Sequence, residues 1–205
     1  MNDNGWTIAD KVSRYTANLR NDYKLSDKLD IGFQLNGSIR QQKAPGTVSR
    51  VTNVVEGSYD RSFDINPFSY ALNTSRAMTP YDENGELEYF TRNYAPFNII
   101  NEIQNNRIKL NVMEIKANVE ASYKILPSLT WSFLGSARFA QTNKEHEITE
   151  NSNFAEAHRA DFTSTIRNAN KYLFKDPDFP NEERVIVLPV GGFYNTDETF
   201  MQTYN

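Results

Sequence analysis

Four stretches of the chain alternate regularly between apolar and polar side chains. In 13–25 and 29–42 the odd-numbered positions carry most of the apolar residues, and 109–125 and 129–142 repeat this pattern. A period of two places successive side chains on opposite faces of a β-strand. The pattern therefore predicts four strands, each with one apolar and one polar face.

Short links join these strands in pairs, through residues 26–28 and 126–128. Links of three residues are common in β-hairpins. A register that starts at these links keeps the apolar side chains of each hairpin on a single face, as correct pairing requires. The predicted pairs are Leu25–Leu29, Tyr23–Ile31, Leu19–Leu35, Ile125–Leu129, Tyr123–Trp131 and Ala121–Phe133.

The other connections are much longer, about 43–108 and 143–200, and show no comparable alternation. Compact domains seldom use structureless loops of more than about 15 residues. Short turns at one end and long loops at the other are typical of transmembrane β-barrels, whereas a β-sandwich has short links at both ends. We therefore expect an all-β fold, an antiparallel transmembrane β-barrel segment of four strands in two hairpins with long extracellular loops.

Short elements are expected inside these loops. A helix from Phe68 to about Met78 would end before Pro80, and residues 82–85 would form a turn between two short strands. Ser152 is a candidate N-cap for a helix. That helix would carry Phe154, Ala157 and His158, and Gly191-Gly192 would form a bend before a terminal strand that starts near Phe200.

The polar face of the four strands carries charged side chains that would line a water-filled lumen. These are Arg14, Arg20, Glu114, Lys116, Glu120 and Arg138. The alternative is a soluble β-rich carbohydrate-binding or adhesin module, which needs a second layer over its apolar face. The loops are polar and lack a long amphipathic helix, so they are poor candidates for that layer.

Composition excludes some other classes of protein. The 205 residues have a formal net charge of -4 and no cysteine, and the mean hydropathy is -0.66. No apolar run is long enough for a transmembrane helix, and no Lys/Arg block indicates nucleic-acid binding. Four strands cannot close a barrel, so we expect a segment of a larger protein, of the size of the barrels of about 22 strands that act as transporters.

Loop motifs add a family resemblance, which extends over about 14–205. The motifs are Asn66-Pro67-Phe68-x-Tyr70-Ala71, Ser75-Arg76, Pro80-Tyr81-Asp82-x-x-Gly85, Asn98…Asn101-Glu102 and Leu188-Pro189-x-Gly191-Gly192. In this order, with both hairpins in place, the chain resembles the SusC/RagA family of TonB-dependent outer-membrane transporters of Bacteroidetes.

The resemblance implies a location in the outer membrane and a 22-stranded barrel with an N-terminal plug domain and a TonB box. It implies a SusD-like surface lipoprotein as partner, energy relayed by TonB, and oligosaccharide or peptide cargo, with no cofactor. The matched region is the middle of the barrel, so we expect the plug domain to lie outside this chain. A non-transporting structural or assembly barrel would share the strands without the energy coupling.

Catalytic chemistry finds little support, and we expect no enzyme. His146 and His158 lie near Glu145, Glu147 and Glu150, yet their spacing matches no helical zinc motif. The stretch Asp82-x-Asn84-x-Glu86 is loosely similar to a calcium loop, but its glycine comes at the fourth position instead of the sixth. We therefore predict solvated loop residues in the first case and a plain turn in the second, with no metal site.

Aromatic side chains are concentrated in the first long loop. They are Tyr59, Phe63, Phe68, Tyr70, Tyr81, Tyr89, Phe90, Tyr94 and Phe97. Such rings can stack on sugars or anchor a protein lid, but a loop of sixty residues also needs some of them for its own core. Tyr81, Tyr89, Phe90 and Tyr94 are the candidate contact residues, and we expect the last three to be exposed.

Overall fold

The computed structural model describes residues 2–4, 10–53, 58–64 and 78–205. The strands of this part are β1 (Asn2–Asn4), β2 (Lys11–Lys24), β3 (Leu29–Pro45), β4 (Thr47–Asn53), β5 (Ser58–Asp64), β6 (Phe90–Arg92), β7 (Ala95–Phe97), β8 (Asn106–Leu126), β9 (Leu129–Ile148) and β10 (Phe193–Tyr204). The helices are α1 (Ile99–Asn105), α2 (Asn153–Ala157) and α3 (Ser164–Ala169).

A six-stranded antiparallel sheet in the order β1-β2-β3-β8-β9-β10 dominates the structure, which confirms the all-β class. The strands β4 and β5 form a separate two-stranded sheet, and so do β6 and β7. Within the described residues the large sheet is open, because β1 and β10 each pair on one side only.

The predicted hairpin registers are confirmed over almost their whole length. Tyr23 lies opposite Ile31 and Leu19 opposite Leu35, and in the second hairpin Tyr123 lies opposite Trp131 and Ala121 opposite Phe133. The prediction was wrong for one pair, Ile125–Leu129. Leu129 pairs with Leu126 instead, and Ile125 is the extra residue of a β-bulge.

The two hairpins join into one sheet through β3 and β8. Their pairing places odd-numbered residues opposite odd-numbered residues, as in Phe33–Val119. The pairing of β10 with β9 changes this parity, as in Phe200–Gln141, so the even-numbered residues of β10 share the face of the odd-numbered residues elsewhere. One face of the sheet therefore collects the apolar positions of five strands.

The strands are longer than the alternation predicted. The strand β3 continues to Pro45, β8 begins at Asn106, and β9 continues to Ile148. The terminal strand begins at Phe193, seven residues before the predicted start at Phe200. The missed segments carry charged residues on the face that is apolar further along, so hydropathy alone did not indicate strands there.

The long connections at the loop end contain the predicted short elements. Ser152 caps α2 by accepting a hydrogen bond from the Ala155 N–H, and Gly191 has φ +90° at the bend before β10. Residues 82–85 form a turn, which is flanked by a single bridge between Tyr81 and Leu87 instead of two strands. Most of the helix predicted for 68–78 lies outside the described residues.

The buried apolar core is at the loop end of the sheet. Its side chains belong mainly to the loops, and the fully buried ones are small except for Phe97. The core residues are Ala95, Phe97, Ile103, Ala140, Ile148, Ala155, Ala157, Ala160 and Leu173. None of the helices in the described residues is both long and apolar enough to cross a membrane.

Close backbone packing at the loop end gives a first testable prediction. A Cβ atom on Gly192 would overlap the carbonyl of Ile148, whereas a Cβ on Gly37 would meet no atom within 4 Å. Because backbone atoms cannot move aside as a side chain can, we expect Gly192→Ala to cost about 1–3 kcal/mol of unfolding free energy. Gly37→Ala is the matched control, and equal midpoints in urea denaturation would contradict the packing described.

Candidate functional site

The face formed by odd-numbered residues of β2, β3, β8 and β9 carries an exposed apolar band. Val119 is 41% exposed and Ile115 44% exposed, although β8 pairs with β3 on one side and with β9 on the other at these positions. The band, which we call the apolar band, comprises Tyr15, Leu19, Tyr23, Leu29, Ile31, Phe33, Leu35, Ile39, Met113, Ile115, Val119, Tyr123, Trp131, Phe133 and Phe139, with Phe200 and Tyr204 of β10.

The apolar band has a sharp limit toward the loop end. Its last row across three strands is Tyr15–Ile39–Met113, and the next row on the same face is Ser13–Gln41–Asn111. The row beyond consists of Lys11, Lys43 and Lys109, which we call the lysine row. The same face thus changes from aliphatic and aromatic to cationic within four residues along each strand.

The height of the apolar band follows from strand geometry. On β3 it extends from Leu29 to Ile39, which corresponds to about 33 Å along a strand at roughly 3.3 Å per residue. Strands in membrane barrels tilt by about 40° from the barrel axis. At that tilt, this length corresponds to a height of about 25 Å along the axis. Apolar belts of outer-membrane barrels have about the same height.

The opposite face is polar, and several of its charges form ion pairs within or between strands. The Arg138 guanidinium donates to both carboxylate oxygens of Glu114, at 3.0 and 2.9 Å. The Arg20 side chain lies 3.0 Å from an Asp22 oxygen and 3.9 Å from Glu120. The six charged residues predicted to share a face, Arg14, Arg20, Glu114, Lys116, Glu120 and Arg138, do lie on this one.

The loops at the other end fold into a compact unit that we call the loop cap, residues 78–105 and 149–192. Buried asparagine side chains hold it together by hydrogen bonding to backbone groups. Asn98 caps α1 and donates to the carbonyls of Pro80 and Glu88, both at 2.8 Å. Asn153 donates to three carbonyls of the β6–β7 hairpin at 2.7 to 3.0 Å. Asn170 donates to the carbonyls of Ala157 and Ala160.

Glu102 connects the two loops of the cap from a fully buried position. Its Oε1 accepts hydrogen bonds from the Asn153 backbone N–H and the Asn101 side chain, whereas Oε2 has no partner among the described residues. Burial without a countercharge raises the pKa of the Glu102 carboxyl to about 7. The hydrogen bonds oppose that rise but do not cancel it.

The four candidate contact residues have different surroundings. Tyr81 and Tyr89 are both 48% exposed. Phe90 and Tyr94, which were expected to be exposed, are half-buried. Phe90 packs against Phe97, and Tyr94, at φ +72°, packs against the small alanine core and edge-on to Tyr172. The prediction of exposure was therefore wrong for these two, because the cap needs large rings to fill its interior.

A ring cluster in the second loop was missed. His158 stacks on Tyr172 at 4.1 Å between ring centroids and contacts the rings of Phe154 and Phe193. Phe154 and His158 are one helical turn apart, but Tyr172 and Phe193 come from distant parts of the chain. From the sequence, only Phe154 and His158 could be recognised as neighbours, because they lie on one face of α2 and its C-cap.

The histidines and the turn at Asp82 are engaged within the protein. His146 Nε2 lies 2.7 Å from Asn106 Oδ1, and His158 Nδ1 lies 2.8 Å from the Phe154 carbonyl. The Asp82 carboxylate accepts hydrogen bonds from the backbone N–H groups of Asn84 and Glu86. Across the described ranges, no group of three or more His, Asp and Glu side chains is arranged to hold a metal ion.

Comparison of the chain with models of known protein families finds no match. Comparison with curated protein sequences also finds none.

The buried carboxyl gives a prediction of pH dependence. Between its ordinary pKa of 4.5 and the folded value of about 7, Glu102 holds a proton in the folded state but not in the unfolded state. Stability should therefore fall as the pH rises through this interval, by an amount on the order of 3 kcal/mol, and stay reduced above pH 7.

Glu102→Gln should remove most of this pH dependence and raise stability at pH 8, because its amide oxygen can still accept the Asn153 N–H. Hydrogen exchange of the amides of α1 and α2 at pH 5 and pH 8 would measure the effect. Glu83→Gln, at an exposed position of the loop cap, is the control and should leave the pH dependence unchanged. A wild-type cap that is equally protected at both pH values would contradict the prediction.

Proposed function

We propose that this chain is a segment of an outer-membrane transport β-barrel. In this proposal the six-stranded sheet spans the bilayer, the apolar band contacts acyl chains, the polar face lines a lumen, and the loop cap lies outside the cell. The observation that carries the proposal is the exposed apolar band with its charged limit at the loop end.

The energetics of the apolar band favour a lipid environment. Contiguous exposed apolar patches larger than a few hundred Å² are rare on soluble monomers. Each large apolar side chain left in water forgoes about 1.5–3 kcal/mol that burial would contribute. The band has aromatic or aliphatic side chains on five strands, and in the described residues no second layer covers them. Acyl chains would remove this area from water.

The opposite face favours a wet lumen. Its ion pairs are solvent-accessible, and some join neighbouring strands, as in Glu114–Arg138 and Lys144–Asp197. Water in a lumen would solvate the charged and polar atoms that the ion pairs do not satisfy, whereas lipid could not. The free edges of β1 and β10 also cannot persist in lipid, so further strands of a larger barrel would have to pair with them.

The loop cap and its exposed rings support a role at the mouth of such a barrel. Tyr81 and Tyr89 offer amphipathic rings to solvent from a scaffold fixed by Asn98 and Glu102. Such rings suit oligosaccharide stacking or contact with a SusD-like surface lipoprotein. Energy coupling through TonB rests on the resemblance to SusC/RagA transporters alone, which also makes peptides possible cargo.

Residues of the resembling motifs have demanding structural positions. Asn98 and Glu102 are buried, and Gly85 and Gly191 have φ values of +83° and +90°. Positive φ strains any residue with a Cβ atom, so glycine is favoured at both bends. These positions are physically constrained in this fold, which supports the view that the motifs reflect a shared cap architecture.

Neighbouring positions of opposite parity test the membrane orientation. We expect Leu19→Arg to cost about 2–4 kcal/mol of folding free energy in lipid, because it places a charge on the band near its midline. Asn18→Arg should be nearly neutral, because position 18 faces the polar side. The difference is measured as the folding yield, in phosphatidylcholine vesicles, of the complete barrel that contains this segment, by heat-modifiable gel mobility or protease protection.

Val119→Arg and Asn118→Arg repeat the comparison on β8, with the loss of the 3.4 Å hydrogen bond between Asn118 and Gln34 as the local cost of the second change. Equal tolerance at both parities would contradict the assigned faces and favour a soluble β-rich module.

A genetic observation tests the transporter assignment separately. We expect the reading frame upstream of this segment to encode a plug domain and a TonB box, and a neighbouring gene to encode a surface lipoprotein. A barrel gene without either feature would instead indicate a structural or assembly barrel.

A further inference from the structure

The lysine row brings three like charges together on adjacent strands. Lys11 lies opposite Lys43, and Lys43 lies opposite Lys109, on the face of the apolar band. Neighbouring strands are about 4.8 Å apart, so the three Cα positions span about 10 Å. Arg107 precedes Lys109 by two residues on the same face of β8, which adds a fourth cation.

Among the described residues, only one of the three lysines of the lysine row has an ion-pair partner. Lys109 reaches Glu145 at 3.8 Å and Arg107 reaches Glu147 at 3.3 Å. Lys11 and Lys43 make no ion pair with any residue that the structure describes. Like charges directly opposite in a sheet are destabilising. An anionic partner at the lysine row would offset this repulsion.

The surroundings of the lysine row have room for such a partner. An open cavity of about 600 Å³ lies against it and is lined by all three lysines, Arg107, Asn4 and Gln104 among others. Asp10 also lines it. The cavity therefore offers a ligand four cationic side chains, of which Lys109 and Arg107 also pair with Glu145 and Glu147, and two side-chain amides.

The position relative to the apolar band identifies the ligand class. The lysine row lies four residues beyond the last apolar row. This separation is about 13 Å along the strand, or about 10 Å along the axis of a barrel whose strands are tilted as above. The headgroup region of a bilayer begins at the edge of the hydrocarbon core and is several Å thick. Lysine side chains bend toward that region while their stems stay on apolar surface.

We propose that the lysine row, with Arg107, binds the phosphate groups of anionic membrane lipids in the leaflet on the loop side. Ammonium groups bind phosphate as point charges, and Arg107 can add a bidentate contact. The site rests on the proposed function, because only a sheet that spans the bilayer brings headgroups to this height.

Equilibrium titration of the full chain in zwitterionic detergent micelles tests the site. The probes are short-chain phosphatidylglycerol and short-chain phosphatidylcholine, followed by isothermal titration calorimetry. Because a lysine near an anionic lipid surface contributes about five-fold in affinity, we expect wild type to bind the anionic lipid at least ten-fold more tightly. The double variant Lys11→Gln/Lys43→Gln should lose most of that preference.

The matched control is Lys116→Gln/Lys144→Gln, which removes the same charge from the polar face and should keep the preference for the anionic lipid. Equal loss in both double variants would overturn the site, since net charge alone would then explain binding. Inorganic phosphate alone is a further probe. Binding of phosphate as tight as that of the lipid would also overturn the assignment, because the acyl chains would contribute nothing.

Flotation, with phosphatidylcholine vesicles, of the complete barrel that contains this segment separates this inference from the proposed function. Failure to float with neutral vesicles would contradict the membrane-spanning sheet itself. Flotation together with equal affinity for the two short-chain lipids would leave the membrane orientation intact and overturn the lysine-row site only.

Discussion

The fold depends on the parity of strand pairing across the main sheet. From β2 to β9, odd-numbered residues face odd-numbered residues, except after the β-bulge at Ile125, where Leu126 faces Leu129. The pairing of β10 changes parity, and its apolar residues change with it, so that Phe200 and Tyr204 occupy even positions. A slip of one residue at any pair would move a whole set of apolar side chains to the polar face. Every property of the two faces follows from this register.

Two parts of the molecule are stabilised in different ways. The loop cap has a small buried core, and buried side chains such as Asn98 and Asn153 satisfy backbone groups that a loop would otherwise leave unpaired. The sheet has continuous ladders between β2, β3, β8 and β9, and many of its large apolar side chains are exposed. These side chains have no buried core of their own among the described residues, whereas the cap does.

Charge placement distinguishes the two faces as clearly as hydrophobicity does. On the polar face, several opposite charges lie close enough to pair, as Glu114 and Arg138 do. At the margin of the apolar band, Lys11, Lys43 and Lys109 repeat the same charge on three strands. In the proposed barrel, the first surface would line the lumen and the second would lie near the lipid headgroups.

The sequence by itself determined what depends on residues near each other in the chain. Alternation and short links defined the hairpins and their registers, and Ser152 and Gly191 marked a cap and a bend, because turn and helix-end geometry are local. Tertiary structure decided the pairing of β3 with β8, the extra length of the strands, the burial of Phe90 and Tyr94, and the lysine row. Each of these depends on residues tens of positions apart, whose proximity is set by backbone pairing between strands that alternation alone cannot match.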